Sequence, residues 1–168
     1  LNRKFASEQW PVIPATLWKE ERRAAFEAIK DDADIRIQAS DILPAAVKAA
    51  RENALEAGVD DCIDFRIKPL KDVRFTEDYG IVICNPPYGE RIGEKDEIRR
   101  IYADLKKLFE SNPTWSLYLI TTDREFEALT FGRPADRRRK LYNGRLEVTY
   151  YQYYGIKPPP GQNRNVEG

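Results

Sequence analysis

The chain has 168 residues, 42% hydrophobic and 33% charged, with 28 basic residues balanced by 28 acidic ones. That length suffices for one buried core, and the even charge leaves no global field toward nucleic acid, so any such contact must rest on local patches. Histidine is absent, which excludes histidine acid–base catalysis and histidine metal sites, and two cysteines do not make a structural zinc site. No run approaches the roughly 20 apolar residues that span a bilayer, and no signal-peptide pattern is present. Cys62 and Cys84 sit in apolar, strand-like contexts and read as free thiols of a reducing, cytoplasmic setting. Methionine is also absent, so the chain is expected to be a piece of something longer, or a processed product.

Residues 1–13, ending in "WPVIP", read as a loosely helical opening segment. "TLWKEERRAAFEAIK" is a helix opened by Thr16, and "IRIQAS" (Ile35–Ser40) alternates as a strand does, with Asp41 at its tip. The next helix is marked at both ends. Pro44 suits a first helical position, Val47, Ala50, Ala54 and Ala57 repeat on one side, and Gly58 suits the C-terminal cap. "CIDFRI" and "GIVIC" are strands. The wholly apolar Ile81–Cys84 run reads as a parallel strand covered on both faces. A helix over about 95–110 presents Ile98, Ile101, Tyr102, Leu105, Leu108 and Phe109 on one face. "SLYLIT" is a further strand, followed by a short helix around 125–129. "KLYNGRLEVTYYQYYG" then gives two strands joined at Asn143-Gly144, a hairpin signal. The last residues, 158–168, are expected to be extended or disordered. Strand–helix alternation closing in an antiparallel hairpin predicts a doubly wound α/β domain over residues 1–157.

The residues after "GIVIC" carry the chemistry. Asn85-Pro86-Pro87-Tyr88 cannot extend the strand, because two prolines fix two φ angles and remove two ladder donors. The chain must leave the sheet in a rigid turn at the carboxyl edge, where open α/β sheets bind ligands. A residue before proline is held extended, so the backbone sets the direction of Asn85. Its amide carbonyl and the Pro86 carbonyl, held in place by Pro87, are two fixed acceptors suited to an NH₂ group. Tyr88 offers a flat face for stacking a base. Drawing both protons of an exocyclic amine outward frees a lone pair otherwise delocalised into the ring, ready for in-line attack on an electrophilic methyl. A base inside a helix must be flipped out to reach such a clamp. The plain alternative is a tight turn with no ligand.

This tetrapeptide resembles the catalytic motif of the S-adenosylmethionine-dependent amino-methyltransferases. The longer stretches "NPPYGERIG" (Asn85–Gly93), "LNRKFASEQW" (Leu1–Trp10) and "KLYNG" (Lys140–Gly144) resemble the ribosomal RNA large-subunit guanine-N2 methyltransferases, whose members carry an RNA-binding THUMP domain ahead of the catalytic one. The resemblance implies a Rossmann-like class I methyltransferase sheet, with Asn85, Pro86 and Pro87 forming the clamp and Tyr88 the stacking platform. It implies that Asp41 holds the ribose hydroxyls of S-adenosylmethionine, with Ile42 and Asn85 also lining the cofactor. Read from the residues alone, Asp41 is the cap of the Pro44 helix, a role that can coexist with ribose binding. Two departures stand out: Leu43 occupies the place of a second acid after Asp41, and no acid lies near Lys68-Pro69 for the adenine amine, leaving backbone or Ile42 packing for that task. The glycine-rich cofactor loop and its central strand are expected upstream of Leu1. On this reading the chain is the C-terminal two-thirds of a catalytic domain, inactive by itself, and the missing upstream part completes it.

"GRPADRRRKLYNGR" (Gly132–Arg145) holds six basic residues against one acidic. It reads as a solvated loop, as an interface with the missing part, or as a phosphate-contacting patch for ribosomal RNA through Arg137, Arg138, Arg139 and Lys140. Arg91 beside the clamp either pairs with Glu90 or reaches the substrate. Guanine and adenine both offer an amine to this clamp, in RNA or DNA, and a non-catalytic RNA-binding fragment is the remaining alternative. No metal or membrane partner is expected.

Overall fold

A computed structural model describes residues 4–30, 35–88 and 94–160. In chain order its regular elements are α1 (Ala15–Glu27), β1 (Ile37–Asp41), α2 (Pro44–Ala57), β2 (Ile63–Ile67), β3 (Ile81–Cys84), α3 (Glu94–Glu110), β4 (Ser116–Thr121), α4 (Phe126–Thr130), β5 (Arg137–Asn143) and β6 (Leu146–Tyr153). Short 3₁₀ turns at Ala6–Gln9, Asp60–Cys62 and Leu70–Asp72 join them. The chain divides into two compact units, Leu1–Lys68 and Pro69–Gly168.

The first unit is a βαβ crossover preceded by a helix. β1 and β2 pair in parallel, from Ile37 opposite Ile63 to Asp41 opposite Ile67. α2 connects them, and its ends follow from local chemistry. Leu43 is extended (φ −90°, ψ 117°), as a residue before proline must be, and Pro44 opens the helix. Gly58 closes it in the left-handed region (φ 69°), its N–H bonded to the Ala54 and Leu55 carbonyls. Val47 and Ala54 of α2 bury against Phe65 of β2, with Ala39 and Ile63 alongside. Arg51 reaches across to the Phe65 carbonyl at 2.6 Å and lies over its ring. α1 begins after Pro14 at Ala15, one residue before the predicted Thr16, and none of its residues is buried.

The second unit holds a four-stranded sheet in the order β3-β4-β6-β5. β3 and β4 are parallel, while β6 runs antiparallel to both β4 and β5. One face of this sheet is packed by α3 and α4. Ile98, Tyr102, Leu105, Leu108 and Phe109 of α3 meet Leu117 and Leu119 of β4 and Tyr151 and Tyr153 of β6. Phe126 of α4 is fully enclosed at the centre, 4.9 Å from the Tyr102 ring and 5.1 Å from the Tyr151 ring. Among the described residues no helix is long and apolar enough to cross a membrane.

Two expectations need correction. β3 was expected to be covered on both faces, but Val82 and Cys84 turn toward the core while Ile81 and Ile83 are 61% and 80% exposed. Within this unit the helices cover one face only, so an unbroken apolar run need not mean two-sided burial. The hairpin turn was expected at Asn143-Gly144, yet Asn143 still pairs with Leu146, so the two turn residues are Gly144 and Arg145. Gly144 carries the positive φ (62°) that such a turn requires at its first position.

Candidate active site

β3 and β4 are parallel neighbours, so the segments that follow them leave the sheet at the same edge. Pairing runs from Ile81 opposite Ser116 to Cys84 opposite Leu119. The chain after β3 is irregular, as two prolines require. Asn85 and Pro87 are exposed, whereas Pro86 and Tyr88 are half-buried. The predicted clamp residues therefore stand in sequence at the carboxyl end of β3, beside the segment that follows β4.

The segment after β4 lies beside them. Thr121, fully buried, has its hydroxyl 3.3 Å from the Tyr102 hydroxyl and accepts the Asp123 N–H at 3.1 Å. Asp123 in turn accepts the Glu125 N–H at 2.8 Å, which ties the segment to the start of α4. The Thr122 hydroxyl donates to the Tyr88 carbonyl at 3.4 Å. Sequence reasoning missed Thr121, Thr122 and Asp123. The only signal was a Thr-Thr-Asp run at the tip of the predicted strand "SLYLIT".

Cys84, immediately before Asn85, cannot serve as a nucleophile. Burial pushes its thiol up to about 12, so it stays protonated at neutral pH. Desolvation and the neighbouring Asp61 push the Cys62 thiol up as well. Both cysteines are free. Among the described residues no thiolate is offered for covalent catalysis, and no group of His, Cys, Asp and Glu side chains could hold a metal ion.

In the first unit Asp41 ends β1. One carboxylate oxygen accepts the Leu43 N–H at 2.7 Å, and its backbone carbonyl accepts the Lys68 N–H at 3.0 Å. Asp41 was expected to cap the Pro44 helix, but the N-cap is Leu43 without a side-chain bond, and Asp41 instead holds the turn before α2 by accepting the Leu43 N–H. That bond occupies Oδ1 alone. Ile42 and Leu43, beside the carboxylate, are 65% and 60% exposed. An exposed carboxylate flanked by bare apolar side chains, at the carboxyl end of a parallel pair, suits a ribose with its attached base.

The basic segment is a strand rather than a loop. Arg137 to Lys140 lie on β5, the edge of the sheet, where charged side chains also discourage edge-to-edge association. Strand alternation splits them between two faces. Arg138 pairs with Glu127 at 3.1 Å and Lys140 with Glu147 at 2.6 Å, while Arg137 and Arg139 project from the other face, exposed. Arg91, with Gly89–Gly93, lies outside the described residues.

A mixed sheet bearing Asn-Pro-Pro-Tyr at the carboxyl edge of its parallel β3–β4 pair calls for comparison with known proteins. The family model UPF0020, described as "RMKL-like, methyltransferase domain", matches residues 2–152. The chain belongs to this family. "Putative RNA methyltransferase YpsC" of Bacillus subtilis (strain 168) is 39% identical over 166 residues, 98% of this chain and 43% of that protein. "Ribosomal RNA large subunit methyltransferase K/L" of Shewanella amazonensis is 32% identical over 157 residues, 91% of this chain and 22% of that protein. A solved structure described as SMU.472, a putative methyltransferase complexed with SAH, superposes with a TM-score of 0.80 at 37% identity, covering 94% of this chain and 42% of that one. The likeness to this solved structure bears out the doubly wound α/β domain predicted from the strand–helix pattern and the Rossmann-like class I methyltransferase sheet that the resemblance implies. The chain spans less than half the length of these relatives.

Proposed function

We propose that this chain carries the methyl-acceptor site, and part of the donor site, of an S-adenosylmethionine-dependent RNA methyltransferase acting on an exocyclic base amine, guanine N2 in large-subunit ribosomal RNA. The observation that carries this reading is the Asn85-Pro86-Pro87-Tyr88 turn at the carboxyl edge of β3, with Asn85 exposed and Tyr88 half-buried. The family's description as a methyltransferase domain and the ribosomal RNA named for the Shewanella relative support it. Guanine rests on the resemblance of "NPPYGERIG" and "KLYNG".

The chemistry follows from the residues. Tyr88 stacks on the flipped base, and the carbonyls of Asn85 and Pro86 accept hydrogen bonds from the two amine N–H groups. This draws the nitrogen toward a tetrahedral shape and aims its lone pair outward. The bound S-adenosylmethionine supplies the electrophilic methyl. Asp41 holds the ribose hydroxyls through the carboxylate oxygen not engaged by Leu43, and Ile42 packs on the adenine. Arg137 and Arg139 contact substrate phosphates, a sequence-blind and salt-dependent contribution.

Both units belong, on this reading, to one catalytic domain completed by further chain, in a cytoplasmic protein with an RNA-binding THUMP domain. Among the described residues β1 pairs only with β2, and β3 only with β4. Each leaves a row of backbone groups that a further strand would satisfy. The relatives' greater length leaves room for that strand and its cofactor loop.

Asn85→Ala in the intact protein tests the clamp. Losing one well-placed electrostatic partner should lower turnover by about 10²–10³, with the far-UV circular dichroism unchanged. Turnover within threefold of the parent protein would remove Asn85 from the chemistry.

A further inference from the structure

We propose that Thr122 is a positioning residue for methyl transfer, holding the Tyr88 platform through that residue's backbone carbonyl. The inference rests on the clamp reading above and extends it to a residue on the neighbouring strand.

The reason lies in what the two prolines leave undone. Pro86 and Pro87 fix two φ angles, and the ladder with β4 fixes the turn where it leaves the sheet at Cys84. Neither constraint sets φ of Tyr88, which aims its Cα–Cβ bond and hence the ring, and which is restrained once the Tyr88 carbonyl is held. The Thr122 hydroxyl supplies that constraint, donating to the Tyr88 carbonyl at 3.4 Å across a span of 34 residues.

Thr122 is itself well founded. Thr121, on one side, is fully buried and bonded to the Tyr102 hydroxyl of α3. Asp123, on the other, is bonded to the Glu125 N–H before α4. The side chain that reaches the turn thus hangs from the most enclosed part of the molecule, and packing of α3 and α4 is passed to the stacking face through one hydroxyl. The bond is long, since O–H···O bonds usually lie near 2.8 Å. Contacts of this kind tighten when the substrate seats, so the bond should contribute more with a base on Tyr88 than without one.

Two variants of the intact protein separate this from a role in folding. Thr122→Val keeps the branched shape and removes the donor, whereas Thr122→Ser keeps the donor. Thr122→Val should lower kcat about tenfold with RNA affinity unchanged, because phosphate contacts dominate that affinity. Thr122→Ser should stay within about threefold of the parent protein, and both should melt as it does. A readout independent of methyl transfer is the fluorescence of an RNA carrying 2-aminopurine at the target position, whose 2-amino group mimics that of guanine. Stacking on Tyr88 quenches it, so Thr122→Val should leave the complex brighter and Thr122→Ser should not.

Equal kcat and equal quenching in Thr122→Val and the parent protein would overturn the inference, as would Thr122→Ser being impaired as severely as Thr122→Val. Tyr88→Ala and Asn85→Ala, run in parallel, keep the two levels apart. If they abolish quenching and turnover while Thr122→Val changes neither, the clamp stands and the positioning role falls. If they too change nothing, the clamp reading itself is wrong.

Discussion

The two units of this chain bury themselves very differently. In Pro69–Gly168, ten buried residues from α3, β4, α4 and β6 form one continuous cluster. Among the described residues of Leu1–Lys68, Val47, Ala54 and Phe65 do so, and α1 adds none. The cause is architectural. A four-stranded sheet with two helices on one face encloses a core, whereas two parallel strands under a single helix cannot, and pairs of strands are marginal alone. The unit that carries the Asn85–Tyr88 turn therefore supplies its own packed core. The unit that carries Asp41 leaves Ile37, Ile42, Leu43, Leu55 and Ile67 exposed. On the proposed reading, acceptor geometry belongs to one unit, and donor binding is the function that should depend on the remainder of the protein.

The sharpest way to break this contrast is to empty each core. Phe126→Ala removes a fully enclosed ring and should cost about 3–5 kcal/mol, abolishing the cooperative unfolding of the second unit in thermal denaturation. Phe65→Ala removes a ring at the margin of a three-residue cluster, where water can enter the space, and should cost only about 1–2 kcal/mol. Equal losses would mean the first unit is as self-supporting as the second.

A smaller effect is expected at the donor side. Asp41→Ala removes a charged hydrogen-bonding group worth about 1.5–3 kcal/mol, so calorimetry on the intact protein should show S-adenosylmethionine binding weakened about tenfold to a hundredfold, with RNA affinity unchanged. Unchanged cofactor affinity would leave Asp41 as a brace for Leu43 alone.

The smallest effect concerns alkaline pH. Burial pushes Cys84 from an ordinary 9.0 up to about 12 and Tyr153 from 10.0 up to about 12, and it raises Tyr102 as well. All three belong to the second unit. The folded state then keeps protons that the unfolded chain releases, so stability is unaffected below about pH 9 and declines as pH rises from there toward 12. Melting curves between pH 8 and 11 should show the second unit losing stability upward. A flat profile would mean these groups are more hydrated than their packing implies.

Much of this was legible from local chemistry. Pro44 and Gly58 mark the two ends of α2, the α3 stripe from Ile98 to Phe109 meets the core, and "SLYLIT" is β4 residue for residue. The Asn85–Tyr88 turn was placed correctly because prolines act on the residues beside them. What the sequence concealed depends on partners far along the chain. "RRRK" has no strand character of its own, and pairing with β6, Arg137 opposite Gln152 through Asn143 opposite Leu146, makes it β5. The same pairing shifts the turn to Gly144 and Arg145. The exposure of Ile83 follows from which face the helices cover, which an apolar run does not encode. Thr122 escaped notice because its partner is 34 residues away.

The central claim is that Asn85 and Pro86 hold a guanine amine of large-subunit ribosomal RNA for methylation. Mass mapping of modified nucleosides tests it most directly, comparing large-subunit RNA from parent cells, from cells lacking the gene, and from deleted cells complemented with the Asn85→Ala protein. The expected result is loss of methylation at one guanine N2 in the deleted cells and no restoration by Asn85→Ala. An unchanged map after deletion, or full restoration by Asn85→Ala, would contradict the assignment.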